Sequence, residues 1–355
     1  MTACCAPGRI DRSQHWPLSN CRTSALITPV PSQQSAIISP KSAEAPPPRV
    51  LVLVGPTASG KTEISIRLAE QLNGEVISAD SRQIYKFLDV GTAKPTREQR
   101  ARVRHHFIDE LTPDREFNAG EFGLRGRDVV QGIFSRGKLP IVVGGSGLYV
   151  RSLIDGFFEG PGADKEFRET LERRVKAEGV KTLLAELWDI DPATARRIDP
   201  TKPRRVIRAL EVYRTTGKPL SQLRKESIPT IDFGSIQFGL EWDRKVLYSR
   251  IERRCDEMLA KGLLKEVEDL EGRGYTDALN ALHTVGYAEA FAYRRGEISY
   301  EEMVRLIKQN SRRYAKRQLT WFRHDERVRW ILVDDATNLL DTARRISREF
   351  QTSMP

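Results

Sequence analysis

The stretch Val50–Thr62, V-L-V-L-V-G-P-T-A-S-G-K-T, decides the fold. Its five leading Val and Leu residues read as a short strand buried on both faces, the kind found in parallel sheets. The turn after them fits G-x-x-x-x-G-K-[ST], the phosphate loop. Gly55 and Gly60 let the backbone curl round an anion, with Pro56, Thr57, Ala58 and Ser59 between them, and Lys61 brings a point charge. Thr62 opens the next helix, where unpaired amides and the helix dipole favour phosphate oxygens, and its hydroxyl is placed for a magnesium ion. Ile64, Leu68, Ala69 and Leu72 carry the helical period that the motif requires after its strand. The expectation is an α/β fold, a phosphate-loop parallel sheet, with a ligand that carries a diphosphate or triphosphate. The motif identifies a phosphate, not a reaction.

The rest of the composition sets bounds. A chain of 355 residues with 39% apolar and 30% charged residues is a globular protein with ample core. No run approaches the roughly 20 apolar residues of a membrane span, so no membrane partner is expected. Lys and Arg number 58 against 48 Asp and Glu, a net charge of +10. The surplus is concentrated: Val304 to Trp330 holds nine Lys or Arg against Asp325 and Glu326, which is +7 in one segment. Three of the four cysteines fall within the first 21 residues, and no zinc or disulfide spacing occurs. A reducing, cytoplasmic setting and a monomer are the expectations.

In chain order, residues 1–48 are rich in Ser, Pro and Ala and read as a disordered, untargeted extension. A first part of the core over 49–156 contains a second strand, Glu75 to Ala79, that delivers Asp80 to its C-terminal end. Carboxyl ends of parallel strands line the ligand crevice, so this carboxylate faces the phosphates or their acceptor; the plainer role is a cap on the turn through Ser81. Ser81 to Pro95 reads as a loop over the site. His105 and His106 start an apparent strand through Asp109 and are taken as structural, because neighbours on a strand point to opposite faces. A helix from Ala119 to Ser135 and a buried strand from Leu139 to Val143 lead to a second glycine turn, Gly144-Gly145-Ser146-Gly147. A helical insertion is expected over 157–236. The core resumes over 237–340, with one long helix from Arg244 to Glu271 and a basic helix from Glu301 to Arg323; 341–355 is read as a tail. Arg250 and Arg254 flank the apolar stripe of the first of these helices, placed either to pair with Glu252 and Asp256 or to reach a diphosphate. In the basic helix, Arg312, Arg313, Lys316 and Arg317 are interleaved with Tyr314, Trp321 and Phe322. A charge run is most often a solvated face. One so poor in acids and so mixed with aromatics is also the footprint of an RNA backbone with bases to stack.

Six collinear motifs then resemble one family. They are G-P-T-A-S-G-K-T, S-A-D-S-R-Q-I-Y-K-F-L-D-V-G-T-A-K-P from Ser78, V-G-G-S-G-L-Y from Val143, R-A-L-E-V-Y-R-T-T-G-K from Arg208, V-G-Y-A-E from Val285 and A-K-R-Q-L-T-W-F from Ala315. Together they are similar to the tRNA dimethylallyltransferase, or isopentenyltransferase, family from about Arg49 to Val333. The resemblance implies transfer of a dimethylallyl group from dimethylallyl diphosphate to the exocyclic amine of the adenosine 3′ of the anticodon. It implies that Gly55 to Thr62 hold the diphosphate with Mg2+ at Thr62, that Asp80 is the general base, and that Arg254 contacts the diphosphate. It places the anticodon stem-loop of tRNA against Asp80, Ser81, Arg82, Gln83, Ser146, Arg168, Arg204, Arg205, Val206, Ile207, Arg208, Lys316, Arg317 and Gln318. The sequence departs from the family's pattern at Ser146 for threonine, at Ala288 for a basic residue and at Phe87 for glycine. The absence of a Cys/His finger after the basic helix resembles the bacterial form.

Two other readings use the same residues. A phosphate-loop kinase would set Lys61 on a nucleotide and Asp80 on an acceptor hydroxyl, but leaves the basic helix without a task. An RNA-binding module with a structural nucleotide would leave Asp80 without one.

Overall fold

The structure, a computed structural model, describes residues 47–157, 162, 164–226, 230–334 and 338–353; of the extension read over residues 1–48, all but the last two lie outside them. The first part of the core runs β1 (Arg49–Val54), α1 (Lys61–Leu72), β2 (Gly74–Ser78), α2 (Arg97–Arg102), β3 (His105–His106), α3 (Ala119–Ser135), β4 (Leu139–Gly144) and α4 (Gly147–Asp155). Five helices follow: α5 (Lys165–Glu178), α6 (Val180–Ile190), α7 (Pro192–Arg197), α8 (Pro203–Thr216) and α9 (Leu220–Glu226). The chain then makes β5 (Gly234–Trp242), α10 (Arg244–Ala260), α11 (Leu263–Gly272), α12 (Tyr287–Arg294), α13 (Tyr300–Arg323), β6 (Val328–Val333) and α14 (Leu339–Thr352).

The six strands form one sheet in the order β3-β2-β4-β1-β5-β6, every pairing parallel. β1 lies between β4 and β5, so its Val50 to Val54 are fully buried, as an apolar run without alternation requires. The order matters for the site. It sets β2, β4 and β1 side by side, and their carboxyl ends bring Asp80, the second glycine turn and the phosphate loop to one edge of the sheet.

The insertion has its own core. Leu171, Leu183, Leu187, Val206, Ile207, Leu210 and Leu220 are buried together, apart from the apolar cluster that surrounds the sheet. Glu211 lies buried in this small core, 0% exposed, and is held by Arg168 and Arg208 at 2.8 and 2.6 Å.

Three expectations are corrected. The helix expected from Arg244 to Glu271 is two helices, because Gly262 sits in the left-handed region at φ 93 and turns the chain between α10 and α11. The strand expected to run from His105 to Asp109 stops at His106, since Phe107 and Asp109 take φ values of 62 and 59. The tail expected over 341–355 is largely helix α14, with Ala343, Ile346 and Phe350 buried against the sheet core. Both histidines are structural in contact: His106 meets the buried Glu75 at 2.8 Å and His105 bonds the Val103 carbonyl at 2.7 Å. Arg136, His106 and Lys138 donate to the Glu75 carboxylate and hold it at about 2 against the cost of burial.

Candidate active site

At the end of β1 the chain turns through Gly60, whose φ of 87 suits a residue without a Cβ. The first amides of α1 carry no side-chain cap, the arrangement that receives an anion. Lys61 folds back over the loop, its Nζ donating to the Gly55 and Pro56 carbonyls at 3.0 and 2.6 Å. Burial, then the nearby Arg254 charge, lowers its pKa to about 7, with Asp80 acting in the opposite sense. The loop is braced from two sides. The Trp242 indole N–H donates to the Ser59 carbonyl at 3.1 Å, and Arg250 donates to the Ala58 carbonyl at 3.1 Å while lying over the Trp242 ring.

Arg254 reaches the same place from α10, its Nη1 donating to the Thr57 hydroxyl at 2.7 Å. The local acids are engaged elsewhere: Glu252 pairs with Arg312 and Asp256 with Lys308. Both Arg250 and Arg254 thus contact the phosphate loop. Burial pulls the Arg254 guanidinium below its ordinary value, against the attraction of Asp80.

Asp80 follows β2. Its Oδ1 accepts the Arg82 and Gln83 amides at 2.8 and 3.4 Å, so the turn-capping role is real. Both bonds fall on one oxygen. Among the described residues Oδ2 has no hydrogen-bond partner, and Asp80 lines the cavity. The cavity measures about 830 Å³ and is lined by Thr57 to Thr62, Asp80 to Gln83, Gly144, Gly145, Arg254, Tyr314, Arg317 and Gln318. Burial and then the charge of Asp80 raise the Tyr314 hydroxyl to about 12, which keeps it a neutral donor.

The tRNA-contact residues implied by the motifs divide by location. Ser81 and Ser146 meet directly, the Ser81 amide donating to the Ser146 hydroxyl at 3.3 Å. Arg82 donates to the Asn280 carbonyl at 2.6 Å. Lys316 and Arg317 are exposed on α13, as are Arg204 and Arg205 on α8. Val206 and Ile207 are core of the insertion, and Arg168 and Arg208 are partners of Glu211, so the cations of that run open to solvent are Arg204 and Arg205.

Gln318 differs from its expected place. It is 6% exposed, and its amide accepts the Thr57 N–H at 2.9 Å while donating to the Gly145 carbonyl at 3.1 Å. It therefore stitches α13 to both strand-end loops. This explains the second glycine turn: a Cβ on Gly145 would overlap the Gln318 amide. No local pattern in the sequence marks this role, nor that of Trp242, because each depends on elements far apart in the chain.

The fold and this site define a phosphate-loop α/β protein in which a lysine, an arginine and a carboxylate converge beneath a cationic helix. The chain belongs to the IPP transferase family, whose model matches residues 83–325. It is 45% identical to the tRNA dimethylallyltransferase of Pelotomaculum thermopropionicum over 84% of this chain and 95% of that one. It is 48% identical to the tRNA dimethylallyltransferase of Acetivibrio thermocellus over 81% and 92%. Among solved structures it resembles the full-length tRNA isopentenylpyrophosphate transferase of Bacillus halodurans, with 40% identity, a TM-score of 0.63 and coverage of 86% and 97%. A eukaryotic dimethylallyltransferase acting on tRNA matches with 27% identity and a TM-score of 0.71 over 87% and 80%. The resemblance drawn from the six motifs is borne out.

Proposed function

We infer that this chain transfers a dimethylallyl group to tRNA. The donor in this reading is dimethylallyl diphosphate and the acceptor is the N6 amine of the adenosine 3′-adjacent to the anticodon; the products are N6-(dimethylallyl)adenosine and diphosphate. One observation carries it: the phosphate loop, Arg254 and Asp80 line one cavity together with Tyr314, Arg317 and Gln318 of the basic helix. A kinase reading uses the loop and Asp80 equally but leaves that helix unexplained, and it does not fit the family.

Lys61 and Arg254 hold the diphosphate and stabilise charge as the carbon–oxygen bond breaks. The adenine amine attacks the prenyl carbon, and Asp80 Oδ2 accepts its proton. The target base leaves its stack to reach that oxygen, which an anticodon loop permits more readily than a duplex. Lys316, Arg317, Arg204 and Arg205 neutralise RNA phosphates. Among the described residues no cluster of three His, Cys, Asp or Glu side chains forms a metal cage. The donor set suits magnesium held by the Thr62 hydroxyl together with diphosphate oxygens, the pattern of a hard ion that keeps substrate and water ligands. Bound there, magnesium would supply charge neutralisation to the leaving diphosphate.

The test is label transfer from prenyl-labelled dimethylallyl diphosphate to unmodified tRNA, beside a reaction with ATP and small acceptors. Label in the tRNA, lost with Asp80→Asn while tRNA binding persists, is the expected result. Phosphorylation of a small acceptor without label in the tRNA overturns the reading, and a wild-type rate in Asp80→Asn removes Asp80 as the base.

A further inference from the structure

The loop Ser81–Pro95 carries Thr92 and the turn that holds Asp80, and it is fastened from behind by one carboxylate. Glu266, on α11, accepts the amides of Asp89 and Val90 at 2.8 and 2.7 Å on Oε2. Its Oε1 accepts the Gly91 amide at 3.1 Å and the hydroxyl of the fully buried Tyr287 at 2.6 Å. Three consecutive amides thus converge on a carboxylate at least 175 positions away in the chain, and a phenol 21 positions from it joins them. The approach is close: a Cβ on Gly91 would overlap the Tyr287 ring, so only glycine lets this loop seat on α12. Burial, then the Glu266 charge, pushes the Tyr287 hydroxyl well above its ordinary value, so it remains a donor.

The fastening continues into the site. The residue after Gly91 is Thr92, whose carbonyl accepts Gln83 Nε2 at 3.4 Å and Arg254 Nη2 at 3.5 Å. Arg254 then reaches the Thr57 hydroxyl of the phosphate loop, and the backbone N–H of the same Gln83 is one of the two on Asp80 Oδ1. A short relay therefore connects Glu266 to both the proposed base and the diphosphate-facing arginine. The loop is braced elsewhere by Lys94, whose Nζ donates to the Tyr85 carbonyl at 2.6 Å and pairs with Asp109, but the Asp89–Gly91 amides are held by Glu266.

We propose that Glu266 is a positioning residue for the transfer reaction, clamping the Asp89–Gly91 amides so that Thr92 fixes Arg254 and Gln83, with Tyr287 completing the clamp. The inference rests on the prenyl-transfer reading. Glu266 touches neither the phosphate loop nor Asp80, and it acts through the loop alone.

The experiment compares Glu266→Gln, Tyr287→Phe and Gly91→Ala in the full chain, measuring turnover, tRNA binding, inorganic diphosphate binding and urea midpoint. Glu266→Gln keeps the shape but turns an NH2 toward a donor, and turnover per folded molecule should fall by about tenfold to a hundredfold, the scale of a displaced reacting group. Gly91→Ala should fall similarly, and Tyr287→Phe, which leaves three of the four donors, should fall less. Diphosphate binding should weaken with turnover. Affinity for tRNA should stay within about twofold, because the exposed cations that meet phosphates are untouched. Unchanged turnover and diphosphate binding in folded Glu266→Gln overturn the clamp, as does a loss accounted for by the unfolded fraction alone. Absence of transfer by the wild type instead overturns the parent reading, and the diphosphate arm still reads the clamp in that case.

Discussion

Replacing Gln318 by methionine separates two roles for one residue. The substitution keeps length, helix propensity and approximate volume while deleting the amide. Two bonds disappear: that from the Thr57 N–H at 2.9 Å and that to the Gly145 carbonyl at 3.1 Å. Each backbone group left behind without a partner costs about 1–3 kcal/mol when buried. Thr57 is only half-buried and regains some hydration, so the pair amounts to about 2–4 kcal/mol. With a urea slope of about 2–3 kcal/mol per molar for a chain of this size, the unfolding midpoint should drop by about 1 M. Equilibrium urea unfolding followed by tryptophan fluorescence measures it, and filter binding at several salt concentrations measures tRNA affinity alongside. Affinity should be nearly retained. A wild-type midpoint together with weakened tRNA binding would refute the reasoning and return Gln318 to the RNA-contacting role that the motif resemblance gave it.

Further outcomes follow from other residues. Lys61 titrates at about 7 in the free protein, below the ordinary 10.5, so arrival of a diphosphate restores its proton. Binding between those values takes up a proton, and affinity should fall as pH rises through the window by up to about tenfold per unit. Calorimetry near pH ~8.5 in buffers of different ionisation enthalpy should give different apparent heats; identical heats would show that Lys61 keeps its proton throughout. Lys316→Ala with Arg317→Ala should weaken tRNA binding and lower the salt slope by about 1 to 2, while an unchanged slope would move the RNA surface off α13. Phe87 holds φ 69 and is covered by Tyr275 and the Arg273 guanidinium. Phe87→Ala should therefore be less stable than Phe87→Gly by about 1 kcal/mol, since alanine keeps the left-handed strain without the stacking. Thermal unfolding that ranks the two the other way would show that strain is not what distinguishes them.

The legible parts of the sequence were those with a short-range cause. β1 and β4 were readable because an unbroken apolar run has few alternatives, and α3 and α13 because their apolar residues keep a helical period over four turns or more. The phosphate loop and Asp80 are legible from residue type and position at strand ends, and Arg254 from its place beside the apolar stripe of a helix and the family resemblance. β6 was not, because its exposed Arg329 and Leu332 interrupt the expected alternation at the sheet edge. α14 lies where the sequence reads as a tail, although Ala343, Ile346 and Phe350 mark one face. The break after α10 was hidden inside a run of charged residues of high helix propensity, where Gly262 alone turns the chain.

By itself, then, the sequence determined which groups carry chemistry: a glycine loop for phosphate, a carboxylate at a strand end and cations on one helix. These follow from local backbone freedom and side-chain charge. Only the tertiary structure decided how they are held together. The β2-β4-β1 order brings Asp80 beside the phosphate loop, and Gln318 bonds to both strand-end loops while lining the cavity. Glu266 likewise becomes the anchor of a third loop. The reason is that a buried hydrogen bond is a property of two partners in space. Neither Gln318 nor Glu266 differs in local sequence from a solvated helix residue, and each acquires its role only where another element presents backbone groups that must be satisfied.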